Sequence, residues 1–239
     1  MNTKFSLLGV SLLSLLPLSS YAQTVAAYDK ASDPAYAKGY GQGQNGGTGF
    51  GPFEVVAAGS SGTFVFTATE AEENKGTPAP STIDSDGKSF GLYAQAKADT
   101  LTVTRRFQVP LTHTGDTFAI DFVPGYNDAG TVGIALTTAV NGAVNGTVGA
   151  FIFRGGGPGV FFDGKPTGLG FVPGASHFVY TLTSLKTYSL VVTGADTFRG
   201  TGRFLGQVTG FQIRQTNSGA TQPDHNSYFN NLSVGHTPK

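Results

Sequence analysis

The chain has 239 residues with 15 basic and 15 acidic side chains, 35 glycines, 19 phenylalanines, and neither cysteine nor tryptophan. A neutral balance without a basic stripe argues against nucleic acid and against an anionic membrane surface as partners. The absence of cysteine excludes a disulfide scaffold, so a hydrophobic core must hold the fold.

Lys4, the apolar run Phe5–Leu18 and the small-x-small triplet Ser20-Tyr21-Ala22 read as a secretory signal cut before Gln23. The expected organisation is therefore a signal peptide over residues 1–22 and a single β-sandwich domain over residues 23–239. Cleavage takes Lys4 away and leaves a formal charge near −1. An all-β unit of roughly 200–250 residues is commonly one domain.

The first distinctive stretch runs from Tyr36 to Phe53. It contains a formal G-x-G-x-x-G at Gly41, Gly43 and Gly46. With no strand feeding it and no helix leaving it, the match is not a dinucleotide fingerprint. The expected role of its glycines is to let the backbone pack closely under Tyr36, Tyr40 and Phe50.

From there the apolar period is two almost everywhere. Strands are expected at Phe53–Ala58, Thr63–Thr69, Phe90–Ala94, from Leu101, and at Phe118–Phe122 and Val132–Leu136. Further ones are expected at Gly149–Arg154, Val160–Phe162, His177–Thr183, Thr187–Thr193, Phe204–Val208, Phe211–Gln215 and Ser227–Val234. Glu70 to Lys88 reads as a long polar loop. Asn141-Gly142 and Asn145-Gly146 are turn dipeptides, and Gly155–Gly159 is a glycine hinge. No stretch has a helical apolar face. The expected fold is all-β, with two packed antiparallel sheets in a jelly roll. Arg105-Arg106 sit in a strand, so alternation must send one inward, where it needs a carboxylate partner.

Three segments carry a family resemblance: Asn45-Gly-Gly-Thr-Gly-Phe-Gly-Pro-Phe53, Ser89-Phe-Gly-Leu-Tyr93 and Tyr228-Phe-Asn-Asn-Leu-Ser-Val234. Together they resemble secreted bacterial proteins with a concanavalin A-like (laminin-G or pentraxin-type) jelly roll. Such proteins often bear a C-terminal PEP-CTERM sorting tag, which this chain lacks. The resemblance implies a sandwich fold, and a sandwich hosts lectins, hydrolases and adhesins alike.

Chemistry-bearing patterns are sparse. No H-E-x-x-H, C-x-x-C or G-x-S-x-G occurs, and no strand carries the alternating carboxylates of a retaining glycosidase. Asp116 and Asp121 flank one strand, but a spacing of five puts them on opposite faces. Asp84-Ser-Asp86-Gly87 imitates the start of a calcium loop without its later acidic ligands. Asp84 and Asp86 are thus the candidate metal ligands, with a turn the favoured reading and no other cofactor implied. Tyr126-Asn127-Asp128 joins two strong strands and offers a ring face, an amide and a carboxylate at a loop tip. Sugar recognition uses that mixture.

The leading expectation is a secreted non-catalytic module that binds a glycan or extracellular polymer through Tyr126, Asn127 and Asp128. A structural or matrix protein acting by self-association is the alternative, and a polysaccharide-active hydrolase or lyase stands third. The polar tail Asn231–Lys239 carries no membrane anchor, so the expected product is soluble and extracellular or periplasmic.

Overall fold

The computed structural model describes residues 23–67, 83–157, 159–170, 174–219 and 225–238. The expected signal peptide lies outside the described residues, as does most of the polar loop after Thr67. Fifteen strands are described. They are β1 (Thr24–Asp29), β2 (Phe50–Ala58), β3 (Ser61–Thr67), β4 (Lys88–Ala94), β5 (Thr100–Leu111), β6 (Thr117–Val123), β7 (Thr131–Val140) and β8 (Ala143–Arg154). After them come β9 (Val160–Phe162), β10 (Lys165–Pro166), β11 (Ser176–Ser184), β12 (Thr187–Thr193), β13 (Thr197–Arg203), β14 (Gln207–Thr216) and β15 (Ser227–His236). A 3₁₀ turn, Pro34–Tyr36, follows β1.

The strands form two antiparallel sheets. One runs β13-β12-β11-β6-β15-β4-β3, with β1 also pairing with β15; the other runs β10-β9-β8-β7-β14-β5-β2. Sequence neighbours are repeatedly split between sheets, which is the jelly-roll signature. The chain is an all-β jelly-roll sandwich.

Alternation decides which side chains fill it. Phe118, Ile120 and Phe122 of β6 point inward, and Phe118 stacks on Phe211 of the facing sheet at 4.8 Å between ring centroids. Phe122 meets Phe153 at 6.0 Å. Aromatics supply all but one of the largest fully buried side chains. Burying each such ring stabilises the fold by about 1.5–3 kcal/mol.

The exception is Arg105. Alternation sends it inward, where its guanidinium pairs with Asp29 and lies over the rings of Phe50 and Phe53. Its remaining donors reach Gly51 O, Asn45 Oδ1 and Gly46 O. Tyr36 completes the network by donating to Asp29 Oδ2 at 2.6 Å. The glycine-rich segment is therefore a backbone wrap around one buried cation. Arg106 faces out and pairs with Glu54 at 3.0 Å.

Two local expectations change. Phe204–Val208 is not a strand, because residues 204–206 form the turn between β13 and β14. β13 itself, Thr-Phe-Arg-Gly-Thr-Gly-Arg, has no apolar alternation to reveal it, being an edge strand with alternate exposure. Asn145-Gly146 is not a turn: the chain reverses at Asn141-Gly142, and β8 is already running at Ala143, with register shifts where it pairs with β7.

Candidate functional site

The connections gather at two opposite poles of the sandwich. At one pole, residues 124–130 cross from β6 to β7 and meet the ends of β8, β14 and the start of β15. Four hydrogen bonds pin this crossing. Ser227 Oγ donates to Pro124 O at 2.7 Å, and Asp128 N donates to Ser218 O at 3.0 Å. Gly130 N donates to Asn127 Oδ1 at 2.9 Å, and Gly155 N donates to Gly130 O at 3.0 Å. The loop tip is thus held in one shape before any ligand arrives.

The three sequence-selected residues separate into two roles. Tyr126 stands in solvent, 41% exposed, and the Asp128 side chain is 64% exposed. Asn127 is buried at 9% exposure, with its carbonyl oxygen engaged inside the loop and its Nδ2 buried without a partner. Asn127 shapes the tip, and its neighbours on both sides face outward.

A residue that sequence reading did not select joins them. His225, just before β15, places Nε2 at 3.1 Å from Asp128 Oδ1 and its ring 6.5 Å from that of Tyr126. Gln215 holds it from behind, donating Nε2 to His225 O at 3.1 Å. Two glycines make this approach feasible. A Cβ at Gly219, where φ is +121°, would strike Asp128 Oδ2 and the His225 ring. One at Gly155 would strike Asn127 O. No local pattern ties His225 to the loop, since only the strand order puts β14, β15 and the β6–β7 crossing at one pole.

The remaining candidates lie elsewhere. Asp86 and Gly87, with φ of 50° and 70°, form the tip of a tight reversal in which Ser85 and Lys88 exchange two backbone hydrogen bonds. Asp86 pairs with Lys30 at 3.4 Å. Asp84 is partly buried, which raises its carboxyl above the ordinary value, and its Oδ1 has no partner. Among the described residues, no three histidine or acidic side chains gather into a metal-holding group.

The aspartates a hydrolase would draw on are otherwise engaged. Asp116 accepts from the backbone of Thr112, His113 and Thr237. Asp121 bridges His177 at 2.6 Å and Asn231 at 2.7 Å on the outer face of its sheet. Asp163 accepts from Ala150 N at 3.0 Å and from the Tyr188 hydroxyl.

No family model and no curated protein matches the sequence. Solved structures resemble it in fold. The conserved carbohydrate esterase of Shiga toxin-encoding bacteriophage phi24B is 12% identical over 91% of this chain and 100% of that one, with a TM-score of 0.51. A protein of unknown function from Shewanella oneidensis MR-1 is 8% identical over 98% of both chains, with a TM-score of 0.47. The exoplasmic/lumenal domain of VIP36, in its Ca2+/Man3GlcNAc-bound form, is 9% identical over 91% of this chain and 90% of that one, with a TM-score of 0.44. At these identities the likeness is one of fold alone. Among the described residues, no helix is long and apolar enough to cross a membrane.

Proposed function

We propose that this protein is an exported, non-catalytic carbohydrate-recognition module, one domain from Gln23 onward, that meets its ligand with Tyr126 and Asp128. The observation that carries this reading is the pinned loop tip, where an exposed ring, an exposed carboxylate and an imidazole converge from distant segments. A tyrosine face packs on sugar C–H groups in a chain that has no tryptophan to offer. A carboxylate accepts from vicinal hydroxyls, and His225 stands 3.1 Å behind that carboxylate.

The test is a glycan array probed with protein recovered from the export fraction of its expression host, run with calcium and again with chelator. A selective hit that Tyr126→Ala and Asp128→Ala both weaken supports the reading, and loss in chelator adds a metal to the site. A blank array, or a hit that both variants retain, removes this loop as the binding surface. Self-association is the competing reading, favoured by exposed Val140, Val144, Leu185 and Leu205 near the other pole; a stable monomer in light scattering removes it.

A further inference from the structure

The opposite pole holds a cavity of about 500 Å³, a volume within the range of small-molecule pockets. β7, ten residues long, separates it from the Tyr126 loop by about 30 Å. It opens between the two sheets, where the start of β8 faces the β11–β12 and β13–β14 turns. The cause lies in the strand pairing. β9 joins β8 only from Phe151 onward, so residues 143–148 leave one backbone edge unpaired in their sheet. On the other wall, Phe204 N donates to Lys186 O at 3.0 Å, which ties the β13–β14 turn to the β11–β12 turn.

The lining is chemically lopsided. Lys186 and Arg203 both border the cavity, and no carboxylate does. Neither cation has an ion-pair partner among the described residues. Two like charges on one wall repel each other unless an anion sits between them. Leu205 supplies exposed apolar surface, while Asn145 and Thr147 add an amide and a hydroxyl to the lining. An alkyl chain would strip water from those polar groups and return no hydrogen bonds. A hydroxylated ring bearing a carboxylate answers all three features at once.

We propose that this cavity is a second ligand site, selective for an acidic sugar of the uronate class. Lys186 and Arg203 hold the carboxylate, Arg203 with its planar fork, and the ring lies against the exposed Leu205 with its hydroxyls toward Asn145 and Thr147. The site shares the general ligand class of the Tyr126 loop and none of its residues, so either can fail alone.

The test is calorimetric titration of the full chain with trigalacturonate and with the same trisaccharide fully methyl-esterified. The acid binds saturably and more weakly as salt rises, and the ester binds at least about tenfold more weakly, as expected when charge-assisted hydrogen bonds are lost. The double variant Lys186→Gln/Arg203→Gln, both exposed positions that leave the core intact, loses acid binding to a similar degree. Tyr126→Ala retains it. Equal binding of acid and ester, undiminished binding by the double variant, or no saturable binding at millimolar trigalacturonate overturns the proposal. So does a site that takes decanoate and refuses the sugar acid.

Discussion

The Arg105 guanidinium and the Asp29 carboxylate are paired inside the sandwich with neither side chain exposed to solvent. They join β5 to β1 across the glycine-rich wrap, so removing one leaves the other charged in a low-dielectric interior. Asp29→Ala is expected to cost about 3–5 kcal/mol, read as a lower urea midpoint. Replacing both together by apolar residues, Asp29→Leu with Arg105→Met, is expected to recover much of that loss. A single variant as stable as the parent would show that the pair does not hold the wrap.

Asp116 ties three segments together. Burial alone would raise its carboxyl, but the N–H groups of His113, Thr237 and Thr112, with His236 beside them, hold it below the ordinary value of 3.8. A lowered carboxylate contributes stability that is present above its unfolded pKa and lost as pH falls through its folded one. Asp116→Asn is therefore expected to cost about 2 kcal/mol at neutral pH and to flatten the stability loss below pH 3.8. Urea midpoints of the two proteins from neutral to acid pH check this.

His177 behaves with the opposite sign. Its hydrogen bond to Asp121 raises its pKa above 6.5, against a smaller desolvation effect. The stabilisation is fully present below 6.5 and disappears as pH rises through the raised value. The side chain is half exposed, so solvent screening keeps the effect small. Asp121→Asn should lower the urea midpoint at mildly acidic pH and leave it unchanged at alkaline pH. A gap of equal size at both would assign the loss to Asn231, which Asp121 also accepts from.

Gly219→Ala tests whether the loop pole needs its close contact. The new methyl group would strike Asp128 and His225 from a backbone with φ of +121°. The expected result is a loss of about 1–3 kcal/mol in unfolding free energy together with weakened glycan capture. Full stability and full capture would mean the Asp128–His225 approach is dispensable.

Tyr126→Ala and Asp128→Ala separate binding from folding. Both side chains are exposed, and substitutions at such places typically change stability by no more than about 0.5 kcal/mol. Capture should fall in each while thermal midpoints hold. A large drop in midpoint would instead make these residues part of the scaffold.

Period-two alternation alone determined that this chain is a two-sheet β-sandwich, that Phe118, Ile120 and Phe122 share one face, and that one of Arg105 and Arg106 must turn inward to find an acid. Those features are local, because a pleated strand assigns each side chain to a face from its own neighbours. Tertiary structure decided the rest. It chose Asp29 as the partner of Arg105, buried Asn127 between the outward-facing Tyr126 and Asp128, and brought His225 to that loop. It also supplied the edge strand β13, which reads as polar because one side of it has no neighbour, and opened the cavity beside Lys186 and Arg203. Each of these depends on strand order and register, which are set by the summed fit of the whole core. No short segment contains that sum.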